Sequence, residues 1–251
     1  MEINPEESVY KWFDAAKSYE KDLNSKAANS LVAERCERIG FCYSMASRQT
    51  KTVEEFKSLR QAAVDAYQKA GQLFKRESEG ESLKCFALAE HTRSWLEVDP
   101  ADKRRALERC LRMGKEALKE FKNAKDGFNF GATCNLLGLC ILDLHHVIPT
   151  SQGKRSILRE GLGYANDAVK VFSSAKEREE LTIALCVSSL LSEILLDDHQ
   201  EERSLAGLCV KQSERAWELS KNLTNPYLKA MACWAEANCI IYLEEEMEKR
   251  S

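Results

Sequence analysis

Apolar residues recur three and four positions apart along nearly the whole chain, with charged residues between them, as on helices that bury one face. In the stretch 100–124, Leu107, Cys110, Leu111, Leu118 and Phe121 share a face, and Arg105, Arg109, Arg112 and Lys119 lie roughly opposite at 100° per residue. The pattern is interrupted where helices begin. Asn4-Pro5, Asp99-Pro100 and Asn225-Pro226 each supply a capping oxygen followed by a residue that needs no N–H donor. Thr52 with Glu55 and Ser78 with Glu81 have the spacing of a capping box, and Pro149 sits in the loop HHVIPTSQGK. These signals predict helices over about 5–23, 26–49, 52–76, 79–97, 100–124, 127–147, 152–175, 177–197, 200–222 and 226–249.

The helices repeat. Ala70-x3-Phe74 recurs as Ala117-x3-Phe121 and Ala168-x3-Phe172, with a weaker copy headed by Ala216. The intervening helices carry Cys36-x2-Ile39-Gly40, Cys85-x2-Leu88-Ala89, Cys134-x2-Leu137-Gly138 and Cys233-x2-Glu236-Ala237, with Cys186 in the remaining copy. Successive cysteines in this series lie 49, 49, 52 and 47 residues apart, which sets a two-helix unit of about 50 residues. Small residues allow two antiparallel helices to approach closely, and a neighbouring aromatic fills the adjoining gap. One such pair cannot bury both its faces, so pairs are expected to stack.

A small residue after Leu or Ile on one helix, then Ala-x3-Phe on its partner, resembles the tetratricopeptide repeat over most of residues 26–249. The long unit, and the segment AYQKAGQLFKRESEGESLKCFALA, are similar to the helical solenoid of the soluble NSF attachment proteins. The family's Trp early in the first helix is mostly absent, and of its Pro after the second helix only Pro226 fits. The resemblance implies an all-α, right-handed solenoid forming one domain over 1–251. It would contain about five helix pairs, at roughly 5–49, 52–97, 100–147, 152–197 and 200–249.

Composition agrees with long helices. Gly and Pro together number 15 of 251 residues, which leaves little room for hairpins or phosphate-binding loops. A net charge of −3 gives no bulk attraction to nucleic acid or anionic membrane. No run of 18 apolar residues occurs, and acids stand where a signal peptide needs a basic segment. Ten cysteines without such a signal point to the reducing cytoplasm rather than to a disulfide framework.

Chemistry-bearing constellations are sparse. No C-x2-C occurs, so the cysteines read as small apolar residues at helix contacts, and no metal or other cofactor is expected. His145 and His146 adjoin a predicted helix end, where His commonly caps the last carbonyls. Glu108, Glu116 and Glu120 interrupt the basic series of helix 102–125, and no aromatics interleave with it for base stacking. Neither a nucleophile elbow, a phosphate loop nor H-E-x2-H is present, so no enzymatic activity is expected.

The expected function is therefore protein binding, as a scaffold or adaptor that grips a peptide segment or partner helix. The resemblance places a concave groove on the first helix of each pair, three residues before and one after its small residue. Those positions are Glu37, Phe41, Phe86, Glu90, Asn135, Leu139, Trp234 and Asn238, with Met45, Arg93, Leu142 and Tyr242 one turn further. Aromatics, amides and charges together suit an extended partner. Rival readings are a docking or regulatory domain of a larger ATPase or helicase, and nucleic-acid binding through helix 102–125. The ends of a solenoid also leave apolar faces unpaired, so homodimer formation through Trp12, Phe13 or Ile240-Ile241-Tyr242 is a further expectation.

Overall fold

The computed structural model describes residues 5–23, 28–199 and 203–248. Its helices are α1 (Pro5–Ser8), α2 (Trp12–Lys21), α3 (Asn29–Ser47), α4 (Val53–Phe74), α5 (Glu79–Ser94), α6 (Pro100–Ala124), α7 (Gly127–Leu144), α8 (Ser151–Ala175), α9 (Arg178–His199), α10 (Arg203–Lys221) and α11 (Pro226–Glu248). A single 3-10 turn, His145–Val147, follows α7, and there is no strand among the described residues. The described residues are all-α, and within each of two compact units the helices pack in consecutive order.

Local chemistry starts the helices where the sequence places them. Thr52 accepts from the Glu55 amide at 3.2 Å, and Ser78 from Glu81 at 3.3 Å. Asp99 accepts from Ala101 at 2.7 Å and Asn225 from Tyr227 at 3.1 Å, each cap directly before its proline. Each bond satisfies one amide that the helix cannot pair internally. Asn4 lies outside the described residues. Two further caps, Asp126 on Asn129 at 3.0 Å and Thr150 on Gly153 at 3.3 Å, start α7 and α8.

The predicted helix 5–23 is broken in two. Tyr10 takes the left-handed conformation (φ 60°), and the Lys11 amide closes back on the Glu6 carbonyl at 2.8 Å. Burial of Glu7 explains the break. Its carboxylate is 3% exposed, receives Arg38 Nε at 3.0 Å and Tyr19 Oη at 3.0 Å, and pairs with the second guanidinium nitrogen of Arg38. A continuous helix has no means of turning α1 toward that arginine on α3.

The chain divides into two compact units, Met1–Lys125 and Asp126–Ser251. In the first, α2 packs on α3, α3 on α4, α4 on α5 and α5 on α6. In the second, α7 packs on α8 and α9, α8 on α9, α9 on α10 and α11, and α10 on α11. The same contacts recur in both units. A Cβ on Gly80 would lie 2.9 Å from the Phe121 ring, and one on Gly131 would lie 2.8 Å from the Phe172 ring. The two glycines are 51 residues apart, and so are the two phenylalanines. Helices α6 and α8 both end on a left-handed lysine, Lys125 (φ 57°) and Lys176 (φ 62°), again 51 residues apart.

Gly40 and Gly138 are close contacts, as the repeat requires. A Cβ on Gly40 would meet the Tyr67 ring of α4 at 2.8 Å, and one on Gly138 would meet Val187 of α9 at 2.7 Å. Ala70, Ala117, Ala168 and Ala216 are all fully buried. Helix 127–147 has the length and hydropathy of a membrane span, but 56% of its most apolar window is buried against protein. That is the behaviour of a core helix in this unit.

Replacing Gly138 with Leu forces a side chain into the α7–α9 contact and should cost about 1–3 kcal/mol or more, read as a lower melting temperature. Gly163, exposed within α8 with nothing within 4 Å of where a Cβ would stand, is the matched control. Gly163→Ala should raise stability by about 0.5–1 kcal/mol through helix propensity alone. Equal melts for the two variants would show the repeat register to be wrong.

Candidate partner-binding surface

Several of the predicted groove residues join neighbouring helices. Glu37 on α3 pairs with Lys84 on α5 at 2.9 Å and also lies 3.7 Å from the Cys85 thiol. Although Lys84 is buried, its ammonium stays charged; burial alone lowers its pKa, but Glu37 outweighs that and the net shift is upward. Asn135 on α7 is 4% exposed and donates to the Glu180 carboxylate of α9 at 3.0 Å and to the Glu180 backbone carbonyl at 3.1 Å. The two links correspond. Each runs from the residue after the repeat cysteine to the next helix of the same kind.

Glu90 is also committed. It is 8% exposed, and its two carboxylate oxygens receive Arg93 at 2.5 Å and Arg109 of α6 at 2.7 and 2.8 Å. Phe86 seats its ring over Gly71 of α4, 3.0 Å from where a Cβ would stand. Phe41 stacks edge-on against Trp12 at 5.5 Å between centroids and carries the Arg38 guanidinium at 4.8 Å. Met45 is buried, whereas Leu139 and Leu142 are half-buried. The side chain of Tyr242 lies outside the described residues.

Trp234 stands apart, at 56% exposure on α11, with Asn238 half-buried beside it. Ala237, expected to give clearance to a neighbouring helix, is exposed, and so is Cys233. Leu228, Met231, Ala232, Ala235 and Cys239 make the buried side of α11 instead. Among the expected end residues, Trp12 is not exposed: at 5% it is core, held against Tyr10 and Phe41. Phe13, Ile240 and Ile241 are exposed at 47%, 50% and 54%.

Two residues of the basic series on α6, Arg105 and Arg109, are tied to acids, as is the neighbouring Arg104, while Arg112 and Lys119 are exposed. Arg109 holds Glu90, Arg105 pairs with Asp102, and Arg104 with Glu108 at 2.6 Å. The His145 ring nitrogen Nδ1 lies 2.5 Å from the Leu142 carbonyl, the helix-end role its position suggested. No three His, Cys, Asp or Glu side chains come together as a metal site among the described residues.

Nine of the ten cysteines are buried. Burial pushes Cys42, Cys134 and Cys186 up to about 12, which keeps them as thiols. Cys209 and Cys239 touch in an apolar cluster with Leu196; the hydrogen bond between them lowers Cys239 and raises Cys209. Sequence spacing could not have found this pair, because it joins α10 to α11 across the fold. The Gly80–Phe121 and Gly131–Phe172 contacts did leave a signal, the shared 51-residue offset.

No family model matches the chain, and the tetratricopeptide resemblance rests on the Ala-x3-Phe and small-residue motifs alone. No curated protein matches either. Among solved structures, a chain described as "Computational Design of Self-Assembling Cyclic Protein Homooligomers" is similar over 97% of this chain and 93% of its own. The identity is 15% and the TM-score 0.32, a likeness that carries no argument.

Two outcomes check the side-chain placement. Ellman's reagent at about pH 8 should titrate Cys233 promptly in the folded protein and the other nine cysteines only after unfolding. Asn135→Ala should lower stability by about 1–3 kcal/mol, since the Glu180 groups it satisfies lose a donor. A variant that melts like the parent would show that the α7–α9 link carries no load.

Proposed function

We propose that this chain is a protein-interaction scaffold: a right-handed solenoid of antiparallel helix pairs that holds a partner segment along its first helices and performs no chemistry of its own. The observation that carries the reading is the pair of corresponding polar links, Glu37–Lys84 and Asn135–Glu180. Within each unit a link fastens successive first helices to one another, starting from the residue after the repeat cysteine and ending at different positions on the next helix. Helices fastened in that phase present their next residues in a row, which is what an extended ligand needs.

The residues left for a partner follow from that arrangement. Phe41 and Leu139 occupy the same offset, one residue after Gly40 and Gly138, and both remain half-exposed. Phe86 and Leu142 are half-exposed as well. A partner with apolar side chains at regular intervals would meet them while its backbone ran across the helices. Glu37, Glu90 and Asn135 act in this reading as the framework beneath the groove rather than as its contacts. The tied arginines of α6 favour a protein partner over nucleic acid.

Site-specific photocrosslinking tests the reading. A benzophenone side chain at Leu139 or Phe41 should trap one and the same protein from native lysate. The same probe at Lys170, exposed on α8, should not trap it. Equal capture from Leu139 and Lys170, or none from either groove position, would remove the proposal.

A further inference from the structure

Cys209 of α10 and Cys239 of α11 are thirty residues apart in sequence, yet their thiols meet in one small cluster. Cys209 at 1%, Cys239 at 2% and Leu196 of α9 at 4% exposure form its apolar core, with Leu205, Ala206 and Val210 packed around it. Two hydroxyls line the sulfurs. Ser189 of α9 lies 3.5 Å from the Cys209 sulfur and donates to the Cys209 carbonyl at 3.2 Å. Ser213 of α10 bonds the Cys239 thiol and donates to the Val210 carbonyl at 3.0 Å.

The contact divides the roles of the two thiols. A hydrogen bond between them lowers Cys239 and raises Cys209. Cys209 keeps its proton and donates it to its neighbour, so the first ionisation of the pair falls on Cys239. Ser213 favours the same thiolate, whereas burial and the carboxylates of Glu193 and Glu214 oppose it. Ser189 favours the thiolate of Cys209 in turn, which serves a second step. Cys36 and Cys85 provide a contrast. They also share an apolar cluster, but Cys85 donates to Glu37 at 3.7 Å and burial raises both thiols.

We propose that Cys239 and Cys209 are a redox site, which hydrogen peroxide closes into a disulfide locking α11 to α10 and a thiol reductant reopens. Cys239 as thiolate attacks one peroxide oxygen. The O–O bond breaks, hydroxide leaves and takes the proton that Cys239 gave up, and Cys239 becomes a sulfenic acid. Cys209 then attacks that sulfur. The S–S bond forms as the S–O bond breaks, and the second hydroxide leaves as water with the Cys209 proton. Two thiols thus lose two hydrogens and two electrons, and the peroxide is reduced to two waters. Because the sulfurs already touch, the sulfenic acid meets Cys209 before it meets more peroxide. Burial keeps bulky reagents out, while hydrogen peroxide, little larger than water, enters as the helix pair opens briefly.

The test treats the reduced, folded full chain with hydrogen peroxide, alkylates it after denaturation and maps its tryptic peptides by mass spectrometry. Peptide 204–211 should be linked through Cys209 to peptide 230–249 through Cys239, with fragment ions separating Cys239 from Cys233. The other buried cysteines should remain free to alkylate. The linked chain should melt several degrees above the reduced one, because a closed loop restricts the unfolded chain. Dithiothreitol should reverse both changes. Cys233→Ser, at an exposed position, should link as the parent does. Cys209→Ser should stop at the sulfenic acid, which dimedone traps on Cys239, and Cys239→Ser should give no such adduct on Cys209. A parent that stays unlinked overturns the proposal, whether or not the serine variants fold. So does a link made only in denaturant, a link from Cys209 to Cys233, or a linked chain that melts no higher than the reduced one. Dimedone labelling of Cys239→Ser as strong as that of Cys209→Ser overturns it as well.

Discussion

The structure depends on an aromatic ring lying against a helix where that helix has no side chain. Phe121 over Gly80 and Phe172 over Gly131 place the two helices of a pair closer than any Cβ would permit, and Gly40 under Tyr67 does the same in the first pair. At such a contact the ring gains dispersion with backbone as well as side chains, and no rotamer change can substitute for the missing volume. The fully buried alanines on the partner helices follow from this approach, because only a small residue fits beside the ring. With glycines this scarce, their recurrence at helix contacts is a constraint of packing rather than of turns.

Polar links then set the phase that packing leaves open. Apolar faces of helices slide and rotate at modest cost, whereas Lys84 buried without Glu37 would leave a desolvated charge. Asn135 with Glu180 has the same place in the second unit without a net charge pair. The repeat thus keeps the residue from which the link starts and changes both its chemistry and the place where it ends. The side chains that make these links are committed within the fold, and the half-exposed apolar residues beside them stay accessible.

What could be read in the sequence divides along the range of the forces involved. Caps act within three residues, so Thr52, Ser78, Asp99 and Asn225 are legible in the sequence as helix starts. Helix contacts were visible through their repetition at Gly40, Gly138, Ala117 and Ala168. Long-range pairing was not visible. Glu37 and Glu90 look like groove residues until Lys84 and Arg109 are brought against them from other helices. The break at Tyr10 was hidden for the same reason, since it serves an arginine about thirty residues away on α3. Helix α11 departs from its motif: Cys233 and Ala237, which the motif sets at a helix contact, are exposed, and Ala232, Ala235 and Cys239 are buried instead.

Among the described residues, the main packing partners of each helix within a unit lie one or two places away along the chain. Few loops must therefore close over long distances before packing begins, and the entropic barrier to folding is correspondingly low. Such an order of contacts makes the chain a quick folder for its length, able to begin packing while later helices are still being synthesised. It also lets the structure open by degrees. An outermost helix can detach and leave its neighbours packed, so amide exchange should be fastest in the helices with the fewest partners and slowest in α9, which packs on four others.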